Sequence, residues 1–264
     1  MTKTIIMMSG IPRSGSSVLC SLLNQHPRIY ASTTSPLIEF INDITPMWDM
    51  ISARMYKPHP DQYVNMVNGL IYGTYNHVSK DIIVDKNRLW PRHAPLIKKA
   101  LGHNLKIICT VRPIPEIIAS YVTLINKNKG ITFIDSDLIE LNLPINTKNR
   151  CRIIWEKYIH TPYTSLRKAY NSKDIDICTV SYDDIVNNSQ QVMDTICEFI
   201  GVESIAVNLD SLQPMKENDK FHGGIEGLHD VRPVMKRISS KPEDIIGKDM
   251  VKLYTDMKLE FWNK

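Results

Sequence analysis

The feature that most constrains the fold is a short apolar run that leads directly into a loop of small residues. Residues 4–8 (TIIMM) form the run, and residues 9–19 (SGIPRSGSSVL) form the loop and the first turn of a helical pattern. A strand, a loop and a helix in this order direct backbone N–H groups and the helix N-terminus toward one anion. Because Gly10 and Gly15 have the spacing found in phosphate-binding loops, the sequence predicts such a loop here.

The loop departs from the pattern G-x-x-x-x-G-K-[ST] at one position. Ser16 stands where the lysine is expected, and a cation stands three residues earlier as Arg13. A kinase or ATPase uses the loop lysine together with magnesium to neutralise the β and γ phosphates, so ATP hydrolysis is disfavoured. A nucleotide phosphosulfate, in contrast, has no triphosphate to bridge, so it does not need the loop lysine and magnesium. We expect Arg13 to supply the charge for it and Ser14, Gly15, Ser16 and Ser17 to form the cradle.

Three further apolar runs, at residues 81–84, 105–111 and 175–180, have the length and composition of buried parallel strands. Helical spacing follows the run at residues 4–8, over residues 18–23, and the run at residues 105–111, over residues 114–125. This alternation predicts an α/β fold, a three-layer α/β/α sandwich with a central parallel sheet of the P-loop NTPase type. With 264 residues, 43% of them hydrophobic, one domain spanning residues 1–264 is expected.

The second half of the chain carries helix boundaries and two segments without a pattern. Residues 192–200 keep a helical period and should stop at Gly201. A last helix is predicted to begin with a capping box at residues 240–243 and to run to Phe261. Residues 127–149 and 204–241 fit neither helix nor strand. We predict irregular insertions that face the substrate, with ordinary surface insertion as the alternative.

A second anion site is predicted after the run at residues 105–111. Arg112 follows this strand and therefore lies at the carboxyl edge of the sheet, where open α/β folds bind ligands. Ser120 lies eight residues further, roughly 12 Å along a helix, on its polar face with Glu116 and Thr123. A long arginine on that face can share one phosphate with the serine hydroxyl.

With these motifs the chain resembles the sulfotransferases that use 3′-phosphoadenosine 5′-phosphosulfate (PAPS). Residues 12–17 (PRSGSS) are similar to the 5′-phosphosulfate loop P-[KR]-S-G-[TS]-[TS], and Arg112 with Ser120 matches the 3′-phosphate motif R-x-P-x-x-x-x-x-S. The arginine in the loop and His26-Pro27 resemble the bacterial and tyrosylprotein/carbohydrate branch. Residues 181–185 and 199–201 resemble the family's Y-E-D-L and F-L-G elements.

The resemblance implies roles for individual residues. Arg13 would contact the transferring sulfuryl group, and Lys86 matches a lysine that stabilises the transition state in the tyrosylprotein branch. Tyr182 matches a residue near the adenine. Residues 227–230 (GLHD) weakly resemble a loop that closes over the cofactor. Arg112 and Ser120 would hold the 3′-phosphate, and transfer would leave adenosine 3′,5′-bisphosphate (PAP).

The resemblance does not assign the catalytic base. Residues 31–34 (ASTT) stand where the tyrosylprotein branch has G-E-E, and residues 86–88 (KNR) stand where the cytosolic branch has K-x-H. The candidates left are Glu39, Asp85, His93 and His229. Five aromatic residues could line an acceptor pocket or belong to the core: Trp90, Tyr121, Phe133, Trp155 and Tyr158.

Composition narrows the partners and the compartment. Lys and Arg exceed Asp and Glu by 32 to 28, which gives no broad basic surface and argues against nucleic acid. Five cysteines without CxxC spacing suggest reduced core thiols, and residues 4–8 are too short for a signal peptide or a stable membrane span. We expect a cytoplasmic enzyme without a metal, acting on a small-molecule, sugar or peptide acceptor. The oligomeric state stays open.

Two other functions remain. A P-loop kinase or NTPase is suggested by Asp85, which ends an apolar strand like the magnesium-binding aspartate of that class. A nucleotide-binding protein without catalytic activity is suggested by the absent base motifs.

Overall fold

Strands and helices alternate around one parallel sheet in the computed structural model, which describes residues 3–55, 57, 59–213, 225–231, 233–235 and 241–262. The strands are β1 (Thr4–Gly10), β2 (Ile29–Ala31), β3 (Ile82–Lys86), β4 (Leu105–Val111) and β5 (Ile175–Ser181). Among the described residues their order is β2-β3-β1-β4-β5, and every neighbouring pair is parallel.

Helices cover both faces of this sheet. In the first half they are α1 (Ser16–Leu23), α2 (Leu37–Ser52), α3 (Gln62–Thr74), α4 (Trp90–Leu101) and α5 (Ile114–Lys127). In the second half they are α6 (Phe133–Glu140), α7 (Thr147–Ile153), a π-helical turn (Ile154–Ile159), α8 (His160–Tyr170), α9 (Tyr182–Asn187), α10 (Ser189–Ile200), α11 (Pro242–Ile246) and α12 (Lys248–Asp256).

The core consists of two apolar layers, one on each face of the sheet. Successive side chains of a strand point to opposite faces, so Ile5 and Met7 of β1 pack in one layer while Ile6 and Met8 pack in the other. The predicted three-layer α/β/α sandwich with a parallel sheet is confirmed. Because β1 lies between β3 and β4, the segments that follow these three strands meet at one edge of the sheet.

The predicted strands are all present, and α10 ends at Ile200 before Gly201, as expected. The three-residue strand β2 was not anticipated. The expectation that residues 127–149 are irregular is wrong, because they contain α6 and the start of α7. Thr132 caps α6 through a capping box with Asp135. Residues 204–241 contain no helix or strand in their described parts.

The predicted continuous last helix is also wrong. Gly247, with φ 83° and ψ 153°, separates α11 from α12, and α12 ends at Asp256 before Phe261. Lys241 precedes α11 without a side-chain cap, and Ser240 of the predicted capping box lies outside the described residues. All five cysteines are buried and none forms a disulfide. No described helix is both long and apolar enough to cross a membrane.

Candidate active site

A large cavity opens at the edge of the sheet where β3, β1 and β4 end. Its volume is about 1420 Å³. Its walls come from the loop after β1, the segment after β3, helix α5, helix α9 and residues 227–230. This is the edge where the sequence places both predicted anion sites.

The loop after β1 is held tightly against β4. A Cβ on Gly10 would lie 2.2 Å from the Thr110 hydroxyl oxygen and 2.6 Å from the Thr110 carbonyl oxygen, so only glycine allows this approach. Gly15 precedes α1 with a positive φ of 93°, and a Cβ there would lie 2.9 Å from the Tyr182 ring. Both glycines are therefore required by geometry, and they bring the N-terminus of α1 to the cavity.

Ser14 does not face the cavity as the predicted cradle requires. Its side chain is fully buried, and its Oγ lies 2.6 Å from Oγ1 of Thr110 and 3.0 Å from the Thr110 carbonyl oxygen. The hydroxyl thus fastens the loop to β4. Gly15, Ser16 and Ser17 do line the cavity, as predicted positions of the cradle.

Arg13, Arg112 and Ser120 lie together on the β4 side of the loop. Nε of Arg13 donates to Oγ of Ser120 at 3.3 Å, and Nη1 of Arg112 donates to the carbonyl oxygen of Arg13 at 3.3 Å. Nε of Arg112 donates to the Glu116 carboxylate at 3.0 Å, which fixes the guanidinium one turn before Ser120. The two cations and the hydroxyl that the sequence assigns to anion binding are thus adjacent.

Tyr182 connects this cluster to the loop. The Arg112 guanidinium lies 4.0 Å from the centre of the Tyr182 ring, which is a cation–π contact. The same ring occupies the space that a Cβ on Gly15 would need. Tyr182 begins α9 directly after β5, so its aromatic face lies in the cavity wall beside both anion sites.

Lys86 approaches the loop from the opposite side. It ends β3, where it pairs in register with Met8 of β1, and its backbone N–H donates to Oγ of Ser32 at 2.9 Å. Nζ lies 3.5 Å from Oγ of Ser17. Cationic side chains from β3 and from the end of β4 therefore flank the loop.

The four base candidates separate into two groups. Glu39 and His229 line the cavity, whereas Asp85 and His93 do not. Both carboxylate oxygens of Glu39 accept from Nδ2 of Asn87 at 3.1 Å. Nδ2 of Asn87 also donates to the Ser35 carbonyl oxygen at 2.9 Å, so the Glu39 carboxylate is held in one orientation.

Asp85 is part of the core, and His93 is half-buried outside the cavity lining. Asp85 is fully buried and accepts from the Tyr75 hydroxyl and, at 2.8 Å, from Nε1 of Trp90. Burial raises the pKa of the Asp85 carboxyl. Burial, together with the charge of Arg92, lowers the pKa of His93, whose Nε2 has no hydrogen-bond partner in the described part of the chain.

The cavity is strongly cationic. Among its described lining residues, eight basic side chains stand against four acidic ones, so an anionic ligand is favoured. The basic residues are Arg13, Lys86, Arg88, Arg92, Arg112, Lys127, Lys157 and Lys241, and the acidic ones are Glu39, Glu116, Asp183 and Asp230.

Aromatic residues divide between the cavity and the core. Tyr121, Phe133 and Tyr158 line the cavity, and the rings of Phe133 and Tyr158 meet edge to face at 4.7 Å. Trp90 is fully buried, and Trp155 packs among the rings of α8 and α12. Only part of the expected acceptor wall is thus available to a ligand.

Sequence reasoning missed the residues that hold the site through backbone contacts. Nη1 of Arg13 donates to the Leu228 carbonyl oxygen, and Asn128 binds the backbone of Glu226. The resemblance marked residues 227–230 as a loop but not this contact, because the contact is made by the backbone carbonyl oxygen of Leu228 and not by its side chain. Asn87 was visible only as a departure from a motif.

An α/β sheet with a cation-lined cavity at its carboxyl edge defines the general class, a protein that binds an anionic ligand at this edge. A family model described as "Sulfotransferase family" matches residues 6–206, well over half of the chain. The chain therefore belongs to the sulfotransferase family and is an enzyme of this type.

Solved sulfotransferase structures share the fold. The sulfotransferase domain from the curacin biosynthetic pathway has a TM-score of 0.53 at 16% identity, covering 97% of this chain and 91% of its own. The domain from the Synechococcus PCC 7002 olefin synthase has a TM-score of 0.52 at 16% identity, covering 97% and 95%. Mouse sulfotransferase SULT7A1 complexed with PAP has a TM-score of 0.54 at 14% identity, covering 99% and 85%. No curated protein sequence matches the chain significantly.

Proposed function

We propose that this sulfotransferase takes its sulfuryl group from PAPS and transfers it to an acceptor hydroxyl or amine, leaving PAP. The observation that carries the proposal is the presence of cations on both sides of the loop, with Lys86 at the end of β3 and Arg112 directly after β4. A donor with a 5′-phosphosulfate and a separate 3′-phosphate needs two anion sites a nucleotide apart.

The residues present fit such a donor. The backbone N–H groups of residues 15–17 and the hydroxyls of Ser16 and Ser17 suit the 5′-phosphosulfate, because they stand at the N-terminus of α1. Arg112 and the Ser120 hydroxyl suit the 3′-phosphate, and the Tyr182 face suits the adenine. A related fold, that of mouse SULT7A1, was solved with PAP, which supports the same choice of donor.

The donor supplies a sulfuryl group already joined to a good phosphate leaving group. The chain contributes charge and position: Arg13 and Lys86 offset the negative charge that develops on the bridging and equatorial oxygens. We assign to Glu39 the role of the general base that takes the proton from the acceptor, because Asn87 fixes the Glu39 carboxylate on the Lys86 side of the loop. His229 would complete the wall around the reacting group. Side-chain cations carry the charge in this scheme, so we expect transfer to survive metal chelation.

The kinase alternative loses the observation that suggested it. Asp85 is buried beneath Tyr75 and Trp90 and does not line the cavity, so it is not available to hold magnesium beside a nucleotide. Glu39 also weakens the argument for a protein without activity, since a carboxylate does stand in the cavity.

Transfer of radiolabelled sulfuryl from PAPS to panels of sugars, tyrosine peptides and alcohols tests the proposal. Wild-type protein should label one class, and Arg13→Ala should lose about 10²- to 10³-fold in rate, the usual effect of removing one such electrostatic donor. Arg152→Ala is the control, because Arg152 is an exposed arginine outside the cavity lining. Undiminished transfer by a folded Arg13→Ala protein would refute the assignment.

A further inference from the structure

Residues 225–231, here called the covering segment, cross the cavity edge from one apolar layer to the other. Ile225 is fully buried in the layer that contains Ile5 and Met7, and Val231 is buried in the layer that contains Ile6 and Met8. Between these two anchors, residues 227–230 line the cavity. The path of the segment over the sheet edge is therefore set at both ends by apolar burial.

Two polar contacts hold the middle of the covering segment. Nη1 of Arg13 donates to the carbonyl oxygen of Leu228. The Asn128 amide forms a reciprocal pair with the Glu226 backbone: the Glu226 N–H donates to Oδ1 at 2.9 Å, and Nδ2 donates to the Glu226 carbonyl oxygen at 3.3 Å. The Asn128 side chain thus satisfies both backbone polar groups of Glu226.

The same helix carries Asn128 and the 3′-phosphate serine. Asn128 directly follows α5 as its C-cap, and Nδ2 also donates to the Leu124 carbonyl oxygen at 2.9 Å. Ser120 stands eight residues earlier, roughly 12 Å along the helix axis. Gly227 packs beside Leu124, where a Cβ would lie 3.5 Å from Leu124 Cδ1. Helix α5 therefore connects the proposed anion site to the covering segment.

We propose that Asn128 is a positioning residue that keeps the covering segment closed over the donor site. This proposal rests on the proposed function, in which that site binds PAPS. The apparent dissociation constant of a ligand rises as the fraction of protein in its binding-competent state falls. By holding Glu226, Asn128 raises that fraction, because Leu228 then stays beside Arg13 and residues 227–230 stay in the cavity wall.

Binding of PAP by calorimetry and hydrogen exchange of the Glu226 amide test this role in the full chain. Asn128→Leu removes both bonds to Glu226 and keeps the same number of side-chain heavy atoms, branched at the same carbon. We expect about a tenfold weaker affinity for PAP, within the range of about 5- to 150-fold that two ordinary hydrogen bonds give. Exchange of the Glu226 amide should accelerate by a similar factor without ligand. Asn128→Asp retains the acceptor for the Glu226 N–H. It should therefore show a smaller loss of affinity for PAP and a smaller acceleration of exchange at Glu226.

Asn171 supplies a matched control. It is the C-cap of α8, and its Nδ2 donates to the Arg167 carbonyl oxygen four residues earlier at 3.0 Å, as Nδ2 of Asn128 donates to that of Leu124. It is not part of the cavity lining. Asn171→Leu therefore reproduces the loss of a helix cap alone, and it should leave the affinity for PAP and exchange at Glu226 unchanged.

The outcomes separate the two proposals. If wild-type protein does not bind PAP, the proposed donor is wrong, and amide exchange at Glu226 still tests the contact with Asn128. If wild-type protein binds PAP and Asn128→Leu binds it as tightly as Asn171→Leu does, the positioning role is refuted. Unchanged exchange at Glu226 in Asn128→Leu would also refute it.

Discussion

Arg112→Met should remove the preference of the site for a 3′-phosphate while leaving its 5′ end intact. The Arg112 side chain is only 11% exposed, and it is held by Glu116, by the Arg13 carbonyl oxygen and by the Tyr182 ring. A guanidinium fixed in this way can donate its remaining N–H groups to a phosphate, and little side-chain entropy is lost on binding because the group is already oriented. Methionine keeps much of the side-chain volume and removes the charge.

The size of the effect follows from these contacts. Hydrogen bonds to charged groups contribute about 1.5–3 kcal/mol, so affinity for PAP should fall about 10- to 150-fold. The variant also leaves the Glu116 carboxylate unpaired beside the phosphate position, which adds repulsion and moves the loss toward the upper end. Adenosine 5′-phosphate, which lacks the 3′-phosphate, should lose only a small part of its affinity.

Calorimetry with PAP and with adenosine 5′-phosphate measures how much affinity Arg112→Met loses for each nucleotide. Arg152→Met is a matched control, because Arg152 donates through Nε to Glu156 at 2.9 Å with the same four-residue spacing, outside the cavity lining. The double variant of Arg112→Met and Glu116→Gln should recover the repulsive part. Equal losses for both nucleotides would contradict the assignment of Arg112 to the 3′-phosphate.

Three further changes test other parts of the site. Glu39→Gln should lower turnover by about 10²- to 10⁴-fold with unchanged affinity for PAP. If His229→Gln lost turnover to this extent and Glu39→Gln lost none, His229 would be the base instead. Gly10→Ala should lower the free energy of unfolding in denaturant by about 1–3 kcal/mol or more, because its Cβ meets Thr110; an unchanged value would refute the close approach. Burial raises the pKa of Asp85 in the folded protein, so the wild-type protein should lose stability as rising pH ionises this carboxyl. Asp85→Asn should remove this loss, which unfolding experiments from about pH 4 to 8 can measure. The same pH dependence in the wild-type protein and the variant would show that Asp85 is not desolvated.

Local patterns predicted those parts of the site that are contiguous in the chain. The loop after β1 and the turn from β4 into α5 each combine an apolar strand, a charged residue and a helix within about twenty residues, so their placement at the sheet edge follows from parallel topology. Lys86 followed from the family motif, and the structure brings it to the same loop.

Contacts between distant segments could not be predicted in this way. Ser14 fits a cradle motif, but its hydroxyl bonds to Thr110, 96 positions away, and so leaves the cavity. Asn128 and Glu226 meet only after two insertions fold, and β2 is too short to give a periodic signal. The break at Gly247 was missed because the apolar period continues across it, although a glycine with positive φ ends α11.

Calorimetric titration of the wild-type protein with PAP and with ATP, each with and without magnesium, tests the central claim most directly. The site described here should bind PAP more tightly than ATP and without need of magnesium, because Arg13, Lys86 and Arg112 supply the positive charge. Tighter binding of ATP that depends on magnesium would contradict the claim.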